Sequence, residues 1–329
     1  MLSALQRVGR RVERWVDEGD PFTNVYGLAR TMLALAAAAT LLANHASTLF
    51  FPTPSTSGEP VCTGVRAAGA YCLSHGHTDV ARLACAAILL VVATGWRPRF
   101  TAPLHAWVAF SFQSSAVAIE GGDQVTGILT LLLLPVALCD DRTWHWSKRA
   151  PRAPDERERL RRLVAKTFLG LVRLQVAGIY LHAAIAKFKV PEWADGTVIY
   201  YWFTHPTFGV PDWLAPIAKP ALLLGPVVAA ITWGTLVLEL GLAAGLIARR
   251  RYRPWLLAGG FALHGGIILV HGLVSFAIVM FAALILFLHP VDRSLVLPER
   301  LRRLARALPR PAIFAWNRPA AQTVPPVQR

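Results

Sequence analysis

Lys187 is the residue of this sequence whose position most strongly raises the prospect of chemistry. It ends a long apolar segment in the stretch LHAAIAKFKVPEWADG, residues 181–196. Burial in an apolar pocket disfavours the charged form of an amine, so Lys187 could act there as a general base. A lysine near the end of a membrane helix also commonly extends its ammonium to the headgroups as an anchor. The residues alone leave both roles open for Lys187, and Lys189 is a second residue suited to anchoring.

The segment that leads to Lys187 carries other polar side chains at helical spacing. Arg173, Tyr180 and Lys187 are seven residues apart and share one helix face, whereas Gln175 and His182 share a roughly opposite face. An ionisable side chain inside a membrane is costly unless it is paired or faces a cavity, so each is a candidate site residue. A helix that is polar on two sides is predicted to run through the interior of a bundle.

Three later residues could work with this helix. Glu239 lies near the middle of the apolar stretch TLVLELGLAAGLI, and Arg173 is the predicted partner for its charge. Such a pair could serve function or simply hold two helices together. His264 and His271 are seven residues apart, about 10 Å along one helix face, which is too far for one metal ion held by these two alone. Either histidine could be a hydrogen-bonded packing residue or a site residue.

Further polar residues are predicted near the level of Lys187. Glu120 and Asp123 stand in the stretch AIEGGDQVTG, and two carboxylates could support acid–base chemistry. They could equally belong to a solvated turn in which the glycines adopt positive φ. His45 adds to this polar rim. Lys187 is therefore predicted to face a cavity that opens outward.

The elements that position these residues must be membrane helices. Of the 329 residues, 54% are hydrophobic and only 16% are charged, with a mean hydropathy of +0.44, which is typical of membrane proteins. The net charge of +15 could indicate a nucleic-acid-binding protein. However, the basic residues fall in bursts between apolar segments and not on one compact face, so no nucleic-acid partner is predicted.

The sequence predicts an all-α fold, a polytopic membrane bundle of about eight transmembrane helices. The predicted spans are residues 25–48, 79–96, 101–119, 123–140, 166–187, 221–248, 254–271 and 273–289. They define a transmembrane domain over residues 24–290. A basic amphipathic segment, residues 1–23, precedes this domain, and a basic tail, residues 291–329, follows it.

The distribution of basic residues predicts the orientation of the helices. With eight spans and both termini in the cytoplasm, 28 of the 34 Lys and Arg residues lie in cytoplasmic segments and 4 in outer loops. This asymmetry is what the positive-inside rule produces. Residues 2–16 and 294–308 could form basic helices that lie on the inner leaflet, or solvated cytoplasmic helices.

Two cysteines in the first predicted outer loop indicate a disulfide. Cys62 and Cys72 lie in EPVCTGVRAAGAYCLSHGH, on the oxidising side of the membrane, so we expect them to form a bond. His75 and His77 make a Cys/His metal site the alternative, but the spacing matches no standard zinc pattern. We therefore assign no metal to this sequence.

One stretch of the chain resembles a known family. Residues 94–146 contain, in order, a Gly-x-x-Pro turn, a Leu-His pair, a Ser-rich span, a Gly-Gly-Asp-Gln corner and an Asp-Arg-x-Trp-x-Trp exit. This pattern is similar to that of the sporulation-delaying-protein B (SdpB) family, and the paired-cysteine loop fits as well. The resemblance implies a multi-pass protein of the bacterial cytoplasmic (inner) membrane. It also implies an SdpA-like partner protein and a secreted SdpC-like precursor, which is converted into an antimicrobial peptide toxin.

The second half resembles a wider superfamily that contains vitamin K-dependent γ-carboxylase and the bacterial HTTM proteins. The stretch GIYLHAAIAKFKVPEWADGTVIYY is similar to the superfamily's segment with a catalytic-base lysine, and Lys187 is the matching position. Glu239 resembles the glutamate of its Glu-Leu helix, and His264 and Phe276 have the spacing of its His…Phe pair. By analogy the cofactor, otherwise unknown, could be a quinol. Only residues 290–329 follow the last predicted span, so we expect neither the carboxylase's large lumenal domain nor glutamate carboxylation.

Two functional interpretations follow. In the first, the chain matures a secreted peptide toxin, with or without enzymatic activity in an outward-facing intramembrane cavity where Lys187 and His264 are catalytic. The residues that would tune these two or position a substrate are Glu239, Arg173, Tyr180, His182, His271 and Phe276. The alternative is a non-enzymatic export or binding scaffold, or an immunity-type membrane protein, in which Lys187 is structural. A transporter is disfavoured because the sequence shows no internal repeat.

Overall fold

The computed structural model describes residues 2–54, 58–149 and 154–295. Residues Met1–Ser294 form one compact unit, and Leu295–Arg329 form a second, of which only Leu295 lies in the described part of the chain. The predicted basic tail and the predicted helix at residues 294–308 therefore fall almost entirely outside the described residues.

The described residues form helices, with one isolated β-bridge between Trp96 and Trp144. The predicted all-α class is confirmed. In chain order the helices are α1 (Leu2–Asp17), α2 (Asn24–Ala43), α3 (Ala46–Leu49), α4 (Ala70–Leu73), α5 (Thr78–Thr94), α6 (Pro98–Ser115), α7 (Gly121–Leu138), α8 (Glu156–Lys187), α9 (Pro191–Ala194), α10 (Val198–Phe203), α11 (Ala215–Leu222), α12 (Gly225–Ala244), α13 (Arg253–His271) and α14 (Val274–Leu288). A short 3₁₀ helix, Gly64–Ala68, precedes α4.

Among residues 2–54, 58–149 and 154–295, five helices are long and apolar enough to cross a membrane, namely α2, α7, α8, α12 and α13. The other three predicted spans coincide with α5, α6 and α14. α5 and α14 contain 17 and 15 residues, about 25 and 22 Å of helix, against a hydrocarbon core of about 30 Å. α6 has 18 residues but includes Arg99, His105 and Gln113. The described part of the chain thus has five candidate spans, and the number eight stays a prediction.

α8 extends well beyond the predicted span 166–187. It begins at Glu156, where the Asp155 side chain caps the helix by accepting a hydrogen bond from the Glu158 amide at 2.7 Å. The Glu158 carboxylate pairs with Arg149 of the preceding loop at 2.7 Å. The first turns of α8 are strongly charged. The helix therefore has a polar extension that precedes its apolar part.

The apolar helices pack into two large cores and a small third one. In the first, α14 is buried along most of its length against α2, α7, α8 and α13. The second core joins α2 to α5 and α6. Lipid tails are as apolar as these cores, so within a bilayer such helices associate through close packing and hydrogen bonds. The polar contacts between helices therefore matter for the position of the site.

The prediction that both polar sides of α8 lie in the bundle interior is wrong. His182 is exposed, and Leu174, Leu181 and Ile185 also have large exposed fractions. The neighbouring helices α7, α12 and α14 cover the side that carries Tyr180, which is buried. The side that carries His182 is left for lipid, because too few helices surround α8 to enclose it.

The loop after α7 folds around a buried polar cluster. Arg142 donates hydrogen bonds to both oxygens of Asp140 at 2.8 and 2.9 Å, and the Tyr26 hydroxyl of α2 donates another at 2.5 Å. The His145 ring lies so close to Gly95 that a β-carbon on this glycine would overlap the ring. Asp140 and the Asp-Arg-x-Trp-x-Trp motif that follows it therefore hold this loop against α2 and the turn between α5 and α6.

The predicted disulfide is confirmed. Cys62 and Cys72 form a bond, and the loop that it closes packs on α6 through a hydrogen bond from the Trp107 indole to the Ala68 carbonyl at 2.8 Å. Both sulfurs are used in this bond, so the alternative Cys/His metal site is wrong.

α1 packs against the charged extension of α8. Arg159 pairs with Asp17 at 3.2 Å, and Lys166 donates a hydrogen bond to the Trp15 carbonyl at 2.5 Å. These contacts fix the end of α1, and the choice between an inner-leaflet helix and a solvated helix stays a prediction.

Candidate functional site

The predicted pairing of Arg173 with Glu239 is wrong. Arg173 instead donates a hydrogen bond to the Phe287 carbonyl near the end of α14, at 3.1 Å. Glu239 pairs with Lys187, whose Nζ lies 2.7 and 2.8 Å from the two carboxylate oxygens. Arg173 and Lys187 are about 21 Å apart along α8, so one carboxylate cannot reach both. The packing of α12 brings Glu239 to the Lys187 end.

The ion pair of Lys187 and Glu239 is largely enclosed. The two side chains are 23% and 10% exposed. The Lys187 ammonium also lies 5.2 Å from the centre of the Trp193 ring in α9, within range of a cation–π interaction. α9 is held in place by a hydrogen bond from the Trp233 indole of α12 to the Ala194 carbonyl at 3.3 Å. The Lys187 ammonium is therefore engaged between a carboxylate and an aromatic ring.

A second polar contact lies two helical turns away along the same face of α8. The Tyr180 hydroxyl is 2.8 Å from His264 Nε2 on α13, and both side chains are buried. The Phe276 ring of α14 packs edge-on against the His264 ring with 5.4 Å between the centres. His264 Nδ1 is buried and has no hydrogen-bond partner among the described residues. This nitrogen therefore has hydrogen-bonding capacity that the described residues leave unused.

The Gly-Gly-Asp-Gln corner is part of a helix and not a solvated turn. Glu120 and Asp123 form a reciprocal capping box at the start of α7, and the Ser275 hydroxyl donates a hydrogen bond to Glu120 at 2.5 Å. The predicted positive φ of the glycines is wrong, since both lie in the first turn of α7. Gly122 is needed because a β-carbon there would lie 2.9 Å from the Phe276 Cα. The corner thus supports the position of the Phe276 ring.

Three predicted site residues lie elsewhere. His271 Nδ1 is 2.5 Å from the Phe208 carbonyl, at the far end of α13 from its arginines. His45 is exposed at the start of α3 and has no capping hydrogen bond from its side chain. His182 is exposed on α8. The structure therefore does not bring these histidines together with Lys187.

The enclosed ion pair places a proton donor beside a proton acceptor. The Lys187 ammonium donates hydrogen bonds to both oxygens of the Glu239 carboxylate. Two opposite charges in apolar surroundings carry a large desolvation cost, which their contact offsets in part. Lysine and glutamate are both residue types that serve in acid–base chemistry.

Three contacts were not predicted from the sequence. They are Trp193 with Lys187, Lys187 with Glu239, and Tyr180 with His264. A signal for Trp193 exists, because it follows Lys187 by six residues in a turn-rich stretch. No signal in a single sequence reports which helix faces Tyr180 or Lys187. Within the part of the chain that the structure describes, no group of three or more His, Cys, Asp and Glu residues is placed to hold a metal ion.

Two relatives of this chain are known in Bacillus subtilis (strain 168). The uncharacterized protein YitO is 38% identical over 295 residues, which cover 88% of this chain and 93% of YitO. The sporulation-delaying protein SdpB is 35% identical over 289 residues, which cover 87% of each chain. No protein-family model and no solved structure matches the chain.

Proposed function

The chain belongs to the SdpB family, and we propose that it is a multi-pass membrane protein that matures a secreted peptide toxin. The proposed substrate is an SdpC-like precursor, the proposed partner is an SdpA-like protein, and the product is an antimicrobial peptide. The support is the 35% identity to a protein named for delaying sporulation, together with five candidate membrane helices.

The observation that carries an enzymatic role is the enclosed ion pair of Lys187 and Glu239. A charged pair of this kind inside a membrane protein supports a functional site, because an apolar pair would have a smaller desolvation cost. In the proposed mechanism, Lys187 Nζ passes its proton to Glu239 and then accepts a proton from the precursor or a co-substrate. Trp193 limits access of water to the amine. The assignment of Lys187 as base also follows from its position in the superfamily-like stretch.

A lipid-soluble quinol is the co-substrate that the superfamily resemblance implies. A quinol needs hydrogen-bond partners for its hydroxyl groups, and the unpaired His264 Nδ1 and the Lys187 amine offer them. The Phe276 ring beside His264 provides an apolar wall. These residues fit such a group, which when bound would supply two electrons. Tyr180 would hold the His264 ring in position through its hydrogen bond.

We further propose eight spans in the bacterial cytoplasmic membrane with both termini in the cytoplasm. Each predicted span coincides with a helix, and short helices such as α14 can cross a bilayer that thins locally around a bundle. Single cysteines at Val65 and Arg251, in a background that lacks the two free cysteines Cys85 and Cys139, test this arrangement. A membrane-impermeant maleimide should label Val65→Cys in intact cells and should label Arg251→Cys only after lysis. Labelling of both in intact cells would contradict it.

The proposed function is tested in a bacterium that carries the genes for this chain, its precursor and the SdpA-like partner. Deletion of this chain alone should leave secretion of the precursor but abolish active peptide, and the intact gene should restore it. Active peptide at normal levels in the deletion strain would overturn the proposal. Absence of such genes beside this one would also weigh against it.

A non-enzymatic scaffold is the second candidate, and one observation favours it. Lys187 contacts both oxygens of Glu239, which is how a purely structural ion pair is satisfied. The two candidates predict different results for a variant in which Lys187 and Glu239 are both replaced by apolar residues. A scaffold would keep its function once the fold is restored, whereas an enzyme would not.

A further inference from the structure

An aromatic surface lies between α8 and α12, on α10, α11 and the turns beside them. It consists of the exposed side chains of Tyr200, Tyr201, Trp202, Phe208, Trp213 and Ile217. Trp213 and Ile217 are 66% and 74% exposed. So many large apolar groups close together in the chain would be unfavourable in water, which indicates that this surface is covered.

The opposite side of the same segment is packed. Val198 and Ile199 of α10 form a small core with Leu222 of α11 and Val228 of α12. The segment therefore has one buried side and one uncovered side. The exposed aromatic residues are a separate feature of the segment and do not result from a missing core.

The helix α13 indicates where the aromatic surface lies along the membrane normal. His271 ends this helix, where its Nδ1 lies 2.5 Å from the Phe208 carbonyl and its ring lies 6.1 Å from the Trp202 ring. α13 begins at Arg253, and Arg249–Arg251 shortly before it add three positive charges with no acidic residue among them. The two ends are about 27 Å apart, close to the hydrocarbon thickness of about 30 Å. The aromatic surface thus lies one membrane thickness from a basic cluster.

The helices beside this surface also have sides that lipid must cover. α12 and α13 expose Trp233, Val237 and Leu269, and both helices are candidate spans. Tryptophan and tyrosine combine an apolar ring with a polar edge, and they concentrate at the boundary between headgroups and acyl chains. The exposed Lys219 of α11 can pair with lipid phosphates in the same layer.

We infer that the aromatic surface is a lipid-binding surface, inserted at the headgroup boundary of the leaflet at the His271 end of the bundle. Its occupant is the bilayer itself. The segment of α10 and α11 is thereby fixed by membrane contact on one side and by its small core with α12 on the other.

The test uses spin labels on the full chain reconstituted in bilayers of phosphatidylcholine and phosphatidylglycerol. Cys85 and Cys139 are replaced by alanine, and single cysteines are introduced as Trp213→Cys and Ile217→Cys. Val65→Cys is the matched control, because Val65 is 78% exposed in the disulfide loop. Power saturation then compares the accessibility of each label to oxygen, which concentrates in lipid, and to a water-soluble nickel chelate. A gel-filtration profile like that of the unlabelled protein confirms that each variant folds.

Lipid insertion predicts that the labels at positions 213 and 217 are several-fold more accessible to oxygen than to nickel, relative to the label at position 65. Nickel accessibility equal to that at position 65 would show that water covers the surface and would overturn the inference. Low accessibility to both reagents would show that a protein, such as a second copy of the chain, covers it, and would overturn the inference as well.

Discussion

The ion pair of Lys187 and Glu239 allows one prediction to be worked out in magnitude. The perturbation is a set of three variants, Lys187→Met, Glu239→Met and the double variant. Each single variant leaves one ionisable group enclosed without its partner, and the double variant leaves two apolar side chains of similar size. All three are compared with the parent chain.

The expected magnitudes follow from the charges. At 2.7 Å, the Coulomb attraction is about 6 kcal/mol at an effective dielectric constant of about 20, and desolvation of the two ions offsets most of it. An unpaired group avoids this cost by changing its protonation. Protonating an isolated carboxylate at pH 7 costs about 3.7 kcal/mol, and deprotonating an isolated ammonium costs about 4.6 kcal/mol. We expect losses of about 3 kcal/mol for Lys187→Met and about 4 kcal/mol for Glu239→Met, and a double variant within about 1 kcal/mol of the parent.

The assay is the free energy of unfolding of the purified chain in bilayer-like discs or mild detergent. The deficit of Lys187→Met should shrink as pH falls, because Glu239 takes up a proton, and the deficit of Glu239→Met should shrink as pH rises. A Lys187→Met variant as stable as the parent would refute the reasoning. So would additive losses in the double variant, since they would show that the two residues do not interact.

Three further predictions concern stability and are measured as changes in the free energy or midpoint of unfolding. Gly95→Ala should lower the free energy of unfolding by about 3 kcal/mol or more, because Gly95 has a φ of +82° and its added methyl group would overlap the His145 ring. Gly170→Ala, which meets no atom within 4 Å, should be neutral or stabilising; equal losses would contradict this. Burial, followed by nearby arginine charges, lowers the pKa of His145 to about 3. As pH falls, the unfolded chain therefore binds a proton at His145 before the folded chain does. The free energy of unfolding should fall by about 1.4 kcal/mol between pH 7.5 and 5.5. The same dependence of the free energy of unfolding on pH in His145→Gln would contradict this. Cys72→Ser should cost about 3 kcal/mol by releasing the loop closed with Cys62, and thiol reagents should label neither cysteine in the parent chain.

Residue types and periodicity predicted much of the architecture. Apolar segments placed every long helix, because each must carry enough hydrophobic residues to lie among lipids or other helices. The bond of Cys62 to Cys72 followed from two cysteines in one short outer loop. Spacing also placed Tyr180 and Lys187 on one face of α8, and both meet neighbouring helices there.

The contacts between helices could not be predicted in the same way. Arg173 was a plausible partner for Glu239, but the registry of α12 against α8 depends on residues 188–224, which form three short helices of their own. His182 was predicted to be interior, because hydropathy does not report how many neighbours surround a helix. The role of Gly122 depends on the approach of α14, which lies far away in the chain.

Lys187 is proposed to be a reactive group and not an anchor. The decisive measurement is the mass and activity of the peptide secreted by producing cells that carry Lys187→Met. Lys189→Met, two residues away, is the control. We expect Lys187→Met to give peptide of altered mass or no active peptide when strains with equal amounts of the protein in the membrane are compared. We expect peptide of normal mass and activity from Lys189→Met. Peptide of normal mass and activity from Lys187→Met would contradict a reactive role for Lys187.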